Sequence, residues 1–133
     1  MKALEKKAEK YDKGIETLTL GRISKIKNYI ADNLVEKDEK ILDIGMGTGT
    51  FAILCAKKGA NVTGIDYSGK MLEVANKNIQ LEGLTNSIQI IKMPVIDLDT
   101  QFPDKFFNRI TAILSFSEFY LDEQNFCLKQ INR

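Results

Sequence analysis

Apolar and polar residues follow one another in blocks that predict a repeating strand–helix pattern. Short apolar runs, typical of buried strands, occupy residues 41–44, 61–65, 88–92 and 109–114. Apolar residues at helical spacing predict helices over residues 22–35, 50–58, 68–83 and 118–132. Strands that alternate with helices indicate an α/β fold with a parallel sheet.

The N-terminal region is predicted to form a helical arm or cap. Lysine and glutamate alternate at helical spacing over residues 1–13, so a short helix or mobile arm is expected there. We therefore predict a helical arm or cap over residues 1–35 and an α/β core over residues 36–133, within one structural domain. The last helix before the first strand is expected to bury a stripe formed by Ile23, Ile26, Ile30 and Leu34.

A glycine-rich turn follows the first predicted strand. Gly45, Gly47 and Gly49 alternate with other residues in the stretch ILDIGMGTGT, and helical character begins after them. A strand, a glycine loop and a helix form the turn that places a nucleotide-type ligand at a helix N-terminus. Thr50 stands where a dinucleotide fingerprint needs its third glycine, and no Gly-Lys-Ser/Thr of a P-loop follows. The pattern therefore argues against both of those phosphate-binding classes.

Two carboxylates flank this loop at the ends of two predicted strands. Asp43 lies two residues before Gly45, where it would repel a pyrophosphate but can receive an ammonium group. Asp66 ends the second predicted strand, 21 residues after Gly45, where an acidic side chain can accept hydrogen bonds from both ribose hydroxyls. These residues indicate a ligand that carries a ribose and an amino group and no phosphate.

The glycine loop and the two acids together resemble the site of a known family. The segments DIGMGTG and GIDYS, at residues 43–49 and 64–68, are similar to the cofactor site of class I S-adenosylmethionine-dependent methyltransferases. The resemblance implies a Rossmann-like core with three αβα layers and a mostly parallel sheet ordered 3-2-1-4, without the later strands of the family. It also implies S-adenosylmethionine as cofactor and S-adenosylhomocysteine as product. A glycine-rich turn in an unrelated α/β protein is the alternative.

The resemblance implies a role for each part of this site. Asp43 is expected near the methionine amine, Asp66 on the ribose, and Tyr67 stacked on the adenine or ribose face. Tyr11, with Asp12, is expected either to lie across the cofactor or merely to pack the arm onto the core. The residues expected to contact the cofactor are Tyr11, Asp43, Ile44, Gly45, Met46, Gly47, Gly49, Asp66, Tyr67, Met93, Pro94, Val95 and Ser115.

The adenine side departs from the family pattern. Relatives commonly carry an acidic residue near Pro94 or Val95, whereas both positions are apolar here. Adenine is then expected to be held by packing from Met93, Val95 and Ile44 and by a backbone amide. Asp97, the nearest acid, either replaces the missing carboxylate or begins a helical turn.

Composition narrows the classes of function. The chain has 133 residues, a net charge of +1 and no histidine, which removes histidine triads and the usual zinc sites. The nearly balanced charge predicts no general attraction to nucleic acid or to anionic membranes. No apolar run reaches the ~20 residues of a membrane span. Cys55 and Cys127 lack metal spacing, so reduced thiols in a cytoplasmic protein are expected.

The whole sequence, with the resemblance, predicts a methyltransferase acting on a small-molecule acceptor by in-line displacement aligned by the cofactor site. The catalytic residue is left unassigned, and a base, where the acceptor needs one, would be Glu118, Asp97 or Tyr11. A non-catalytic S-adenosylmethionine-binding or regulatory subunit and a nucleotide-cofactor oxidoreductase domain are the alternatives. The fourth strand would form an exposed edge, so we expect that the chain is a shortened form of the family's domain, that a second copy pairs with this edge in a homodimer, or that a partner chain supplies the rest of the sheet.

Overall fold

The computed structural model describes residues 8–113 and 121–132, and within them it contains one sheet surrounded by helices. The strands are β1 (Lys40–Ile44), β2 (Asn61–Asp66), β3 (Ile88–Lys92) and β4 (Arg109–Thr111). The helices are α1 (Tyr11–Thr19), α2 (Arg22–Leu34), α3 (Thr50–Lys57), α4 (Gly69–Leu81), α5 (Leu98–Gln101) and α6 (Leu121–Ile131). Two short 3-10 turns lie at Ala8–Lys10 and Val95–Asp97.

The four strands are parallel and lie in the order β3-β2-β1-β4. β1 is central, with Ile41 opposite Val62 on one side and opposite Arg109 on the other. This confirms the predicted sheet order. A central parallel strand has neighbours on both sides and helices above and below, which explains why β1 reads as an almost continuous apolar run.

Two hydrophobic cores lie on the two faces of the sheet, because successive side chains of a strand point to opposite faces. Ile41, Val62 and Ile88 face the first core with α2, α3 and α4. Leu42, Ile44 and Ile65 face the second core, to which α5 contributes Leu98 and α6 contributes Cys127. Helices on both faces of one sheet confirm the predicted three-layer αβα architecture.

α4 follows its sequence signals closely. Ser68 accepts a hydrogen bond from the Met71 amide at 3.3 Å and so caps the helix, as serine commonly does at this position. The chain leaves the helix through Gly83, which adopts a left-handed conformation with φ of 69°. The predicted buried side is confirmed by Met71, Leu72, Ala75 and Ile79.

α1 extends beyond the predicted end of the first helix at residue 13, because it continues through Gly14 to Thr19. On α2, Ile23 is buried and Ile30 packs against the first core, but Ile26 and Leu34 are 51% and 46% exposed. The prediction that Ile26 and Leu34 belong to the buried stripe was therefore wrong. α2 packs on α3 and on α1, and these contacts bury only a narrow strip that also includes Ala31.

The C-terminal part of the sheet is shorter than predicted. β4 ends at Thr111, and the predicted continuation through residue 114 lies partly outside the described residues. α6 is described from residue 121, so the predicted start at 118 also lies outside them. Asn108 holds the beginning of β4 beside β1: its side-chain oxygen accepts from the Lys40 amide at 2.7 Å, and its own amide donates to the Lys40 carbonyl at 2.8 Å.

In the part of the chain that the structure describes, no helix is both long enough and apolar enough to cross a bilayer.

Candidate functional site

The glycine loop between β1 and α3 turns sharply at three positions. Gly45, Gly47 and Gly49 all lie in the left-handed region, with φ of 68°, 55° and 83°. Side chains are disfavoured in this conformation, so the alternation of glycines in the sequence follows directly from the path of the loop. A Cβ on Gly47 would meet no atom within 4 Å. The loop therefore leaves open space beside its backbone at that position.

Asp66 connects the glycine loop to the end of β2. Its Oδ2 accepts a hydrogen bond from the Gly47 amide and its Oδ1 accepts one from the Ser68 amide, both at 2.9 Å. A carboxylate oxygen has more than one acceptor position, so both oxygens can still accept from ligand hydroxyls. Tyr67, the next residue, is 74% exposed and its ring is accessible to a ligand.

Asp43 is a buried carboxyl group at the end of β1. Thr111 on β4 donates a hydrogen bond to its Oδ1 at 3.1 Å. Burial raises the pKa of Asp43 to about 7, while the Thr111 hydrogen bond and the positive charge of Lys27 lower it and the charge of Asp66 raises it further. A buried carboxyl group whose pKa is raised in this way binds a cation readily, because an added positive charge offsets the free-energy cost of burying the anion.

A cavity of about 100 Å³ lies between the glycine loop and the N-terminal helices. Of the residues expected to contact a cofactor, five line it: Tyr11, Asp43, Gly45, Met46 and Gly47.

Lys27 on α2 also lines this cavity, and sequence reasoning did not select it. The chain has many lysines, and only the helical position of Lys27, four residues after the buried Ile23, could have indicated that it faces inward.

The first helix is tied to the glycine loop by Asp12. Its carboxylate accepts hydrogen bonds from the Thr48 hydroxyl at 2.7 and 2.8 Å and from the Thr50 hydroxyl at 3.2 Å. Tyr11 and Asp12 therefore lie over the loop, as the first of the two alternatives for this pair requires. The contact of Tyr11 with a cofactor remains a prediction.

The apolar residues predicted to hold adenine lie mainly inside the second core. Ile44, Met93 and Val95 are all buried there, so little of their side chains is available to a ligand, and Pro94 is half-buried. Asp97 is exposed and directly precedes α5, where it makes no capping hydrogen bond to the described residues. The contacts of Met93, Pro94 and Val95 with adenine therefore remain predictions.

Met46 and Ser115 complete the set of predicted contacts. The Met46 side chain packs over Gly64 in the first core, because a Cβ on Gly64 would lie only 2.2 Å from its Sδ. Part of Met46 nevertheless lines the cavity. Ser115 lies outside the described residues.

Neither cysteine is suited to catalysis or to metal binding. Cys55 and Cys127 are buried in different cores, and burial raises the pKa of Cys55 to about 12 and raises that of Cys127 as well. Thiols with raised pKa values are poor nucleophiles and poor metal ligands. Among the described residues, no group of three or more His, Cys, Asp or Glu side chains is placed to hold a metal ion.

A family model described as a methyltransferase domain matches residues 41–133. A demethylmenaquinone methyltransferase of Thermotoga maritima is 36% identical over 83 residues, covering 60% of this chain and 36% of that protein. The human EEF1A lysine methyltransferase 2 is 34% identical over 80 residues, covering 59% of this chain and 34% of that protein. The chain thus spans about a third of the length of these curated relatives.

Two solved structures share the fold. A Methanococcus maripaludis protein described as an S-adenosyl-L-methionine-dependent methyltransferase has a TM-score of 0.73 and 24% identity, covering 92% of this chain and 57% of that one. A methyltransferase of Thiobacillus denitrificans in complex with S-adenosyl-L-homocysteine has a TM-score of 0.62 and 18% identity, covering 82% and 42%. At these identities the likeness concerns the fold.

Proposed function

The chain belongs to the methyltransferase domain family, and we propose that it binds S-adenosylmethionine and takes part in transfer of the methyl group to an acceptor. The observation that carries the proposal is the pair of opposite charges, Asp43 and Lys27, that line one cavity beside the glycine loop. S-adenosylmethionine ends in an amino acid with an ammonium and a carboxylate group. A buried carboxyl and a lysine in one cavity match that pair of charges.

Each end of the proposed ligand has partners in this chain. Asp43 would accept hydrogen bonds from the ammonium group, and Lys27 would pair with the carboxylate. Asp66, which also orients the amide of Gly47 at 2.9 Å, would accept from the ribose hydroxyls. Tyr67 offers an exposed ring for stacking. When bound, the cofactor supplies a methyl carbon activated by a positively charged sulfonium.

We propose a small-molecule acceptor, which the Thermotoga maritima relative supports by its name. The human relative is named for methylation of a protein lysine, so an acceptor on a protein is the competing possibility. Alignment and exclusion of water can supply ~7–11 kcal/mol of such a barrier without a nucleophilic side chain. Of the three candidate bases, Tyr11 lines the cavity, Asp97 is exposed beside α5, and Glu118 lies outside the described residues.

A second candidate function is a cofactor-binding subunit that needs further polypeptide for activity. In the described part of the chain, β4 pairs only with β1, so its other edge is open. Large apolar side chains are also exposed just before β4 and on α6, namely Phe106, Leu128 and Ile131. We propose that a second copy or a partner chain pairs with this edge. Light scattering that finds only single chains at high concentration would exclude the dimer.

The cellular location is also part of the proposal. Two buried free thiols support a reducing compartment, and we propose the cytoplasm.

Calorimetric titration with S-adenosylhomocysteine tests the cofactor proposal, with NADH as the control ligand. We expect micromolar binding of the first and none of the second. Asp66→Ala and Lys27→Met should each weaken binding about tenfold or more, since each removes a charge-assisted contact. Lys25→Met is the matched control, because Lys25 is exposed on the same helix. If the folded chain shows no binding of S-adenosylhomocysteine, the cofactor proposal is excluded.

A further inference from the structure

A second and larger cavity lies at the amino ends of the strands. Its lining includes Lys40 at the start of β1, Asn61 at the start of β2 and Ile88 at the start of β3. The glycine loop follows the carboxyl end of β1, so in this parallel sheet the two cavities lie at opposite ends, and among the described residues they share no lining residue. The volume of about 490 Å³ falls within the ~300–1,000 Å³ range of small-molecule sites.

The floor of this cavity belongs to the sheet face that carries the second core. Thr63 lies opposite Leu42 on one side and opposite Gln89 on the other, so these three side chains share that face. Lys40, two residues before Leu42, and its neighbour Asn61 lie on the same face. Towards the carboxyl ends of the strands, α5 and α6 cover this face with apolar contacts. Towards the amino ends, the face instead presents polar side chains to the cavity.

These polar residues depart from what a fully covered parallel sheet requires. A strand that is covered on both faces reads as a nearly continuous apolar run, as β1 does. β2 and β3 interrupt their apolar runs with Asn61, Thr63 and Gln89, of which Asn61 and Gln89 are exposed and Thr63 is half-buried. Their amide and hydroxyl groups can therefore form hydrogen bonds with a ligand that enters the cavity.

Three phenyl rings form one wall of the cavity. Phe107 packs edge to face against Phe102 and Phe106, with ring centres 5.0 and 4.9 Å apart. Phe102 and Phe107 also pack against the second core, whereas Phe106 is 41% exposed. Edge-to-face packing is a favoured geometry for aromatic pairs, so the rings hold one another in place and present a fixed apolar surface.

The charge of the lining favours an anion. Among the described residues that line the cavity, Lys40 is the one charged residue, and no aspartate or glutamate is present. The neighbouring Glu39 carboxylate is paired with Arg109 and does not line the cavity. The Lys40 ammonium lies 4.8 Å from the centre of the Phe106 ring, a position in which the π-electrons of the ring attract a cation. A ligand that combines a ring with an anionic group would thus meet both partners side by side.

We propose that this cavity is a second ligand site, which takes a small molecule with an aromatic ring and an anionic group. The ring would pack against the phenyl wall, the anion would pair with Lys40, and the polar floor would form hydrogen bonds with the other polar atoms of the ligand. Because the site lies at the opposite end of the sheet from the glycine loop, its ligand is neither the proposed cofactor nor the methyl acceptor. The inference does not depend on the proposed function.

Titration with anilinonaphthalene sulfonate, a ring-bearing anion whose fluorescence rises in apolar surroundings, tests the site. Phenylnaphthylamine, which has the same rings without the sulfonate, is the matched neutral ligand. Lys40→Met and Gln89→Glu each make the lining more negative by a single charge. Each should weaken binding of the sulfonate roughly threefold to tenfold and leave binding of the neutral ligand unchanged.

Two control variants separate a local effect from an effect of net charge. Lys37→Met and Gln80→Glu make the same changes in net charge, but both residues are exposed and neither lines the cavity. We expect both controls to bind the sulfonate as the wild type does. An equal loss of binding in the cavity variants and in the controls, or no binding by the folded wild type, would overturn the proposal.

Heteronuclear NMR locates the bound sulfonate. We expect its addition to shift the amide signals of residues 85–87, Gln89 and Phe106, and to leave those of the glycine loop in place. Shifts confined to other parts of the chain, or displacement of the sulfonate by S-adenosylhomocysteine, would overturn the proposal. If the wild type binds the sulfonate in this cavity but does not bind S-adenosylhomocysteine, the cofactor proposal fails and the second site stands.

Discussion

At the scale of single residues, Asp43 shows how burial changes the chemistry of a common side chain. Its pKa is raised to about 7 because the fold removes it from water. The groups that act on it come from three elements: Thr111 of β4 and Lys27 of α2 favour the charged form, and Asp66 of β2 opposes it. Asp43 is therefore close to half-ionised near neutral pH.

The partial ionisation of Asp43 near neutral pH makes cofactor binding dependent on pH. Only the ionised form of Asp43 can form an ion pair with an ammonium group, so Kd for S-adenosylhomocysteine should rise by up to about tenfold for each pH unit below about 7. Calorimetry between mildly acidic and mildly alkaline pH measures this slope. Asp43→Asn should bind more weakly and lose the slope.

A fragment of the ligand provides the control for this pH effect. Methylthioadenosine lacks the amino and carboxyl groups and should bind the wild type with no comparable slope. An equal slope for methylthioadenosine, or for S-adenosylhomocysteine with Asp43→Asn, would assign the titration to another group.

At the scale of elements, the turn after β1 is held against β2 by close packing. The Met46 amide donates to the Ile65 carbonyl at 2.9 Å, and the Met46 side chain lies over Gly64. A Cβ on Gly64 would come within 2.2 Å of Met46 Sδ and 3.1 Å of Met46 Cβ. Glycine in the middle of β2 is thus explained by the close approach of the neighbouring loop.

Gly64→Ala should therefore lower the free energy of unfolding by about 1–3 kcal/mol, because the buried Met46 side chain has to repack to relieve the overlap. Urea denaturation measures this change. Gly69→Ala is the matched control, since the added Cβ would meet only the end of the Lys92 side chain at 3.4 Å. We expect Gly69→Ala to stay within about 0.5 kcal/mol of the wild type. Equal stability of the two variants would contradict this account of Gly64.

At the scale of the whole molecule, two acids give the stability opposite dependences on pH. Arg109 donates two hydrogen bonds to Glu39, at 3.0 and 3.3 Å, and so lowers the pKa of Glu39 below its ordinary value. That contribution is present above pH 4.5 and is lost as pH falls through the lowered pKa. The raised pKa of Asp43 works the other way, because the folded state binds an extra proton, so stability declines as pH rises towards about 7.

Glu39→Gln tests the first of these two effects. At neutral pH it should cost roughly 1 kcal/mol of unfolding free energy, since the ion pair links the segment before β1 to β4 and is only partly exposed. The difference from the wild type should shrink as pH falls below 4.5. Glu82→Gln, which breaks an exposed pair with Lys57, should have little effect at any pH. A difference that persists in acid would contradict the assignment to Glu39.

The sequence determined those features that depend on neighbours along the chain. The positions of the four strands followed from short apolar runs, although β4 ends earlier than its run predicted, and the buried side of α4 followed from helical spacing, because each pattern reflects local geometry. The sharp turns at Gly45, Gly47 and Gly49 were predictable for the same reason, since only glycine adopts these conformations without strain.

Only the tertiary structure decided which distant side chains share a space. Asp12 contacts Thr48 across 36 residues of sequence, and Lys27 and Asp43 line one cavity because α2 packs on the core. Ile26 is apolar yet exposed, because the two helices that pack on α2 cover a narrower strip than the pattern suggests. Spacing along a chain specifies the face of an element. What that face contacts depends on how the layers pack, and in this protein the charged cavity and the raised pKa of Asp43 both arise at that level.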